Sequence, residues 1–314
     1  MITKDEIDAA RKRIRAHVHE TPLVTSTRLG DASGVRLQLK CESLQRTGSF
    51  KARGALNAMM QLTAAEKIRG VVTVSAGNHA QAVAWAATLV GTQCITVMPE
   101  GASRSKIQAT EGYGGKVELV GGERSKAFDR AHEIAEQGRV MVHPFEDGRV
   151  VAGAGSVALE LIEQNPTLDA VVVPIGGGGL IAGVAVAIKS LRPDVQIIGV
   201  EPEGAPTMKK SLEAGKPTTI SPKTVADGLA APMVGTMTLE AVQRFVDAVV
   251  LVSDDEILSA MRDLISYAKL VVEPAGAAAV AAVLTRKVAF DRGARVAAII
   301  SGGNVDLERL KSLL

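Results

Sequence analysis

Ala170-Val171-Val172-Val173-Pro174-Ile175-Gly176-Gly177-Gly178-Gly179-Leu180 reads as a strand, a glycine turn and the opening of a helix. An apolar run without alternation predicts a strand covered on both faces, as in a parallel sheet flanked by helices. Ligands of such sheets bind beyond the carboxyl ends of the strands. Consecutive glycines let the backbone approach an anion closely and aim its N–H groups at it from a helix N-terminus. Phosphate is the obvious guest. A second reading competes: Gly177, Gly179 and Ala182 fit the dinucleotide pattern Gly-x-Gly-x-x-Ala, and Glu201 ends the next strand. That pattern is short, and Gly153, Gly155 and Ala158 fit it too, so the residues leave both readings open.

Outward from this turn the same alternation recurs. Val71–Val74, Cys94–Met98, Lys116–Val120, Gln196–Val200, Ala248–Val252 and Val296–Ile300 read as strands. Ala80–Leu89, Lys126–Glu136, Ser156–Glu163, Leu180–Ser190 and Asp254–Tyr267 read as helices between them. The pattern predicts an α/β fold with parallel sheets, and a length of 314 residues predicts two domains. Pro144–Gly148 is the best turn-rich break. Apolar residues make up 46 % and aromatics only 3 %, so Ala, Val, Leu and Ile must fill the core, which suits helices packed closely on a sheet. A net charge of +2 with no long run of one sign excludes a nucleic-acid footprint or a polybasic membrane patch. The two cysteines, Cys41 and Cys94, match no metal-ligand spacing and point to a reducing, cytoplasmic setting. Met1–Arg15 lacks a signal peptide's apolar run, and Ala275–Leu284 is too short to span a bilayer and reads as a buried helix.

Three more segments could carry chemistry. In Thr47-Gly48-Ser49-Phe50-Lys51-Ala52-Arg53-Gly54, Ser49 or Thr47 can cap a helix running to about Gln61. Lys51 then sits in the first turn, where the dipole disfavours its charge and favours the neutral amine of Schiff-base chemistry. The plain alternative is a solvated surface lysine. Ser75-Ala76-Gly77-Asn78-His79 joins a strand to a helix; it could hold a small carboxylate, or Ser75 or Asn78 could simply cap the helix. Ser301-Gly302-Gly303-Asn304 ends the last strand and, taken alone, is a turn.

Together and in order, from Thr21-Pro22-Leu23 to Ser301-Gly302-Gly303-Asn304, these segments resemble the fold-type II pyridoxal-phosphate enzymes, specifically the serine/threonine dehydratase and serine racemase family. Thr47-Gly48-Ser49-Phe50-Lys51 followed by Arg53-Gly54-Ala55 is the most specific part, and Glu273-Pro274 also falls in place. The resemblance implies that Lys51 binds the cofactor as a Schiff base and shuttles the α-proton. It implies that Phe50 and Gly228 flank the pyridine ring, that Asn78 contacts its 3-hydroxyl, and that Gly176, Gly177, Gly178 and Gly179 cradle the phosphate. Ser301 would face the ring nitrogen. Ser75, Asn78 and His79 would hold the substrate carboxylate. It further implies a large domain (1–52 and 147–314) with a small one (53–146) inserted, the cofactor between them, and a homodimer or higher homo-oligomer.

The resemblance also has departures. The racemases carry Ser-Ser-Gly-Asn-His where this chain has Ala76 second, and alanine cannot exchange a proton. An arginine that some racemases aim at acidic substrates is Ala127 here. Of the family's cation site, Glu201 and Ala205 match, but Thr207 replaces an aspartate, so a weaker divalent site, a monovalent ion or none is expected. The sequence ends soon after Asn304, so no C-terminal regulatory domain is expected. The expected reaction is loss of water from L-threonine or L-serine. The rivals are a serine racemase, a dehydratase of another β-hydroxy amino acid, a dinucleotide-binding protein and a non-catalytic amino-acid or cofactor-binding module.

Overall fold

The structure is a computed structural model and describes residues 1–122 and 124–314. Its strands are β1 (Leu23–Thr25), β2 (Arg36–Cys41), β3 (Val71–Val74), β4 (Cys94–Pro99), β5 (Lys116–Val120), β6 (Val140–Met141), β7 (Ala170–Pro174), β8 (Gln196–Pro202), β9 (Ala248–Val252) and β10 (Arg295–Ile300). They form two sheets, one ordered β1-β2-β10-β7-β8-β9 and the other β5-β4-β3-β6. Every pairing is parallel except β1 with β2 at the edge of the larger sheet. The chain thus forms two α/β domains, each built on its own sheet.

The apolar run of β7 works as its pattern predicts. Val171 and Val173 pack on one face with the helices Gly148–Gln164 and Gly179–Leu191. Ala170 and Val172 pack on the other with the helix Pro274–Leu284. Small side chains let these helices sit close. Pro274–Leu284 is alanine-rich and buried almost throughout. Gly54 and Gly183 do the same for helix crossings: a Cβ on either would lie 2.5 Å from a carbonyl oxygen of the helix Gly148–Gln164. Among the described residues no helix is long and apolar enough to cross a membrane.

Three strands escape the sequence pattern. β1 and β6 are too short to show a period, and β2 reads Arg-Leu-Gln-Leu-Lys-Cys, which looks half-solvated. Yet Lys40 in β2 is wholly buried. Its ammonium donates to Thr21 O and Glu160 Oε2 at 2.8 Å and to Gln164 Oε1 at 3.0 Å. Polar partners, not an apolar side chain, make that strand position an interior one.

The expected cap of the lysine helix also differs. The helix spans Lys51–Met59, and its N-cap is Phe50, with no side-chain capping bond. Thr47 adopts a left-handed conformation (φ 58°) inside a short 3₁₀ turn, and Ser49 is extended, bridging to Gly302. Neither hydroxyl can therefore reach the helix N-terminus, and among the described residues both are buried without a partner.

Candidate active site

The carboxyl ends of β3, β7 and β10 face a shared cleft of about 470 Å³, lined by Lys51, Asn78, the glycine turn and Ser301 among others. The four segments singled out in the sequence meet there. Lys51 opens its helix at the cleft floor and its Nζ donates to Pro144 O at 2.8 Å. The same nitrogen lies 5.1 Å from the Phe50 ring centre. Burial lowers its pKa to about 8, so the alternative of a solvated lysine does not describe it.

Opposite lies the glycine turn. Gly178 is left-handed (φ 93°) and is the N-cap of the helix Gly179–Leu191, with no side chain capping it. Among the described residues, the N–H groups of Gly176, Gly177 and Gly178 meet no protein acceptor. A helix N-terminus with unused donors is an anion cradle. The back of the turn is filled: a Cβ on Gly177 would lie 2.1 Å from Phe145 Cδ1, and one on Gly178 would lie 2.7 Å from Thr238 Oγ1. Thr238 Oγ1 also donates to Gly177 O at 2.9 Å. Glycine is thus required by close packing behind the turn as well as by conformation.

The Ser75–His79 turn forms a second set of donors. Ser75 does not cap the helix Asn78–Val90; its Oγ accepts from Gly77 N at 3.2 Å, and Gly77 is the N-cap. Among the described residues the N–H groups of Ala76, Asn78 and His79 are left free. The His79 ring is buried, with Nε2 on Val142 O at 3.2 Å, and burial first, then Lys51, holds its pKa well below the usual range. What His79 can present to a carboxylate is a neutral ring and a backbone N–H.

Ser301 is buried at the end of β10, its Oγ only loosely bonded to Ala275 O at 3.3 Å. Gly228 stands on the facing wall, where a Cβ would lie 2.9 Å from that of Ala275. Glu273, which lines the cleft, and Asn304, which bonds to the cleft residue Asn78, had no role assigned from sequence. Glu273 is buried and accepts from Asn78 Nδ2 at 2.6 Å; burial pushes its carboxyl up to about 7 against the pull of that bond. Asn304 donates to Asn78 Oδ1 at 2.8 Å. Glu273 follows an apolar stretch and precedes a proline, a helix-start signal that hides any other role.

Beneath the lysine helix lies a buried ion network. Arg53 Nε and Nη2 grip Glu42 at 2.8 Å each, and Nη1 and Nη2 grip Glu160 at 2.6 and 2.8 Å. Burial works against the Arg53 charge, but the two carboxylates override it and hold its pKa above the usual range.

Glu201, although it lies at a strand end, is not solvated. It is buried, and its two oxygens accept from Met208 N at 2.7 Å and Lys209 N at 2.9 Å. Thr207 Oγ1 donates to Ala231 O at 2.8 Å. Among the described residues no group of three His, Cys, Asp or Glu stands close enough to hold a metal.

The sequence matches the family described as pyridoxal-phosphate dependent enzyme over residues 14–302. It is 45 % identical to an L-threonine ammonia-lyase of Thermotoga maritima, across all of this chain and 78 % of the relative. It is 43 % identical to the catabolic L-threonine dehydratase TdcB of Escherichia coli K12, across 98 % of this chain and 95 % of the relative. Among solved structures, maize serine racemase superposes with a TM-score of 0.95 at 40 % identity, covering 99 % of this chain and 96 % of that one. The residues fit the cofactor: an amine of lowered pKa lies on the cleft floor, and unused glycine N–H groups and a buried serine hydroxyl face the same space. The chain belongs to the pyridoxal-phosphate dependent enzymes, and pyridoxal phosphate is its cofactor.

Proposed function

We propose that this enzyme removes water from a small β-hydroxy amino acid, L-threonine before L-serine, releasing ammonia with 2-oxobutanoate or pyruvate. The observation that carries the reading is the convergence on one cleft of the Lys51 amine, the glycine donors and the free N–H groups of the Ser75–His79 turn. The relatives named for threonine support the substrate.

Bound pyridoxal phosphate supplies an electron sink for the bond broken at the substrate Cα. The rest falls to the protein. The glycine N–H groups and the dipole of the helix Gly179–Leu191 hold the phosphate. Ser301 would supply the hydroxyl for the ring nitrogen, and Phe50 and Gly228, which line the same cleft, would hold the ring. The N–H groups of Ala76, Asn78 and His79 orient the substrate carboxylate. Lys51, partly neutral near pH 7, takes the α-proton at Nζ. Ala76 on the cleft wall has no proton to return, which favours elimination over inversion at Cα.

We further infer a small domain, 53–146, that moves against the large one, 1–52 with 147–314, to close the cleft. The ion pair of Lys106 with Asp227, and Ser105 Oγ to Asp306 Oδ2 at 3.1 Å, join helix Arg104–Gly112 to the other side of the mouth and support this. A homodimer and a cytoplasmic setting complete the reading; two unpaired, buried cysteines suit a reducing compartment.

The test is an ammonia-release screen over β-hydroxy amino acids with wild type and Lys51→Ala, with chiral analysis of unreacted serine. Release from threonine by wild type alone is expected. Full release by Lys51→Ala, or rapid accumulation of D-serine, overturns the reading.

A further inference from the structure

The side-chain amide of Asn78 is held at both ends. Asn304 Nδ2 donates to its oxygen at 2.8 Å, and its nitrogen donates to Glu273 Oε1 at 2.6 Å. The three residues arrive from separate elements: the first turn of the helix Asn78–Val90, the turn after β10, and the N-cap of the helix Pro274–Leu284. Both holders are themselves fixed. Asn304 Nδ2 also donates to Thr47 O at 2.7 Å, and a Cβ on Gly48 would lie 2.3 Å from Asn304 Oδ1. Glu273 is buried, and a Cβ on Gly302 would lie 2.2 Å from its Oε1.

An amide between a fixed donor and a fixed acceptor has one orientation. Flipped, it would set N–H against N–H at Asn304 and oxygen against oxygen at Glu273. Glu273 takes one of the two N–H groups of Asn78 Nδ2 and leaves the other for the cleft.

We propose that Glu273 and Asn304 are positioning residues that aim an N–H of Asn78 at the cofactor's ring oxygen, acting through Asn78 without touching the cofactor. The inference rests on the reading of Asn78 as the contact to the ring 3-hydroxyl. An N–H donor there stabilises the oxygen in its deprotonated form, which absorbs at longer wavelength than the neutral phenol.

The experiment titrates apoprotein with pyridoxal phosphate, with no substrate present, and reads the dissociation constant and the ratio of long- to short-wavelength bands. Glu273→Met removes the acceptor; about a tenfold loss of affinity and a shift toward the short-wavelength band are expected. Glu273→Gln keeps an acceptor oxygen and should stay within about twofold of wild type on the same scale. Asn78→Ala is the reference and should match Glu273→Met. Wild-type behaviour of Glu273→Met, or equal damage in Glu273→Gln, overturns the proposal. If Asn78→Ala shifts the bands while Glu273→Met does not, only the positioning role fails. If Asn78→Ala is itself silent, the reading of Asn78 as a cofactor contact fails and takes the proposal with it. Near-ultraviolet circular dichroism checks the fold, and where Glu273→Met fails that check, Asn304→Ala decides by the same readouts.

Discussion

The ε-nitrogen of Lys51 donates to the carbonyl oxygen of Pro144 at 2.8 Å. That bond joins the first residue of one helix to the turn that backs the glycine cradle through Phe145. It holds the amine over the cleft, where burial lowers its pKa to about 8 from the usual 10.5.

The neutral amine is the form that attacks an aldehyde. The rate at which apoprotein combines with pyridoxal phosphate should therefore rise with pH and level off above about 8, as followed by stopped-flow absorbance. Because the folded value is the lower one, the unfolded chain binds the extra proton between about 8 and 10.5, so this group's contribution to stability also rises with pH across that window. A rate still climbing at the pH of an ordinary lysine would contradict the geometry.

Gly177 should not tolerate a side chain. A Cβ would lie 2.1 Å from Phe145 Cδ1, and that ring cannot easily retreat, since it is buried and stands edge-on to His143 at 4.6 Å. Gly177→Ala must push either the ring or the cradle. Weakening of cofactor binding by at least about tenfold is expected. Gly177→Ala with Phe145→Leu should recover part of it, because the smaller residue frees the space. Equilibrium titration of the apoproteins measures both, and wild-type affinity in the single variant would show that the packing is looser than it looks.

The glycine turn and Lys51 drew notice in the sequence because each breaks a local rule: four glycines at a helix start give up conformational entropy, and a lysine in a first turn opposes the dipole. Those rules left a solvated lysine and a dinucleotide turn open, and only the family resemblance of the whole set of segments decided between the readings. The large-sheet strands β7 to β10 were legible from continuous apolar runs. β2 was not, because Lys40 is interior only by virtue of partners remote in sequence, Glu160 and Gln164. The cap of the lysine helix was misread for a related reason. Ser49 has the right residue type and spacing, but its pairing with Gly302 pulls it into extended backbone, and only the folded chain brings those two together. Glu273 and Asn304 were silent as a pair for the same cause. The roles that follow from local chain geometry can be read in advance, and those that need two distant segments cannot.

His143 couples the cradle to pH. Its Nδ1 accepts from Glu146 N at 2.9 Å and Phe145 N at 3.3 Å, so it must be unprotonated. Burial first, then the Lys51 charge, lowers its pKa to about 4 from 6.5. The folded value is the lower one, so the stability this group contributes is present above 6.5 and is lost as pH falls through about 4. Protonation replaces two accepted bonds with a repelled pair and should loosen the turn carrying Phe145. Unfolding midpoints and cofactor affinity should both fall from pH 7 to 4. His143→Asn, whose Oδ1 can accept but cannot titrate, should show a shallower fall. Equal slopes in the two proteins would remove His143 from the account.

The network under the lysine helix should be expensive to break and cheaper to replace whole. Arg53, Glu42 and Glu160 are all buried, and Arg53 also bonds to His19 O at 3.2 Å and Ser156 Oγ at 3.3 Å. Taking such charges out of water costs free energy that only their mutual contacts offset, so removing one partner strands the others. Arg53→Met leaves two buried carboxylates with Lys40 as the remaining cation, and Lys40 reaches only Glu160. Destabilisation of about 3–5 kcal/mol in denaturant unfolding is expected. The deficit should shrink as pH falls from 8 to 5, because a stranded carboxylate can take up a proton. Adding Glu42→Gln to Arg53→Met should cost less than the two single changes summed, since the second removes a charge that the first left unpaired. Strict additivity would mean that Arg53 and Glu42 act as separate packing residues, and the helix that presents Lys51 would then owe its register to apolar contacts alone.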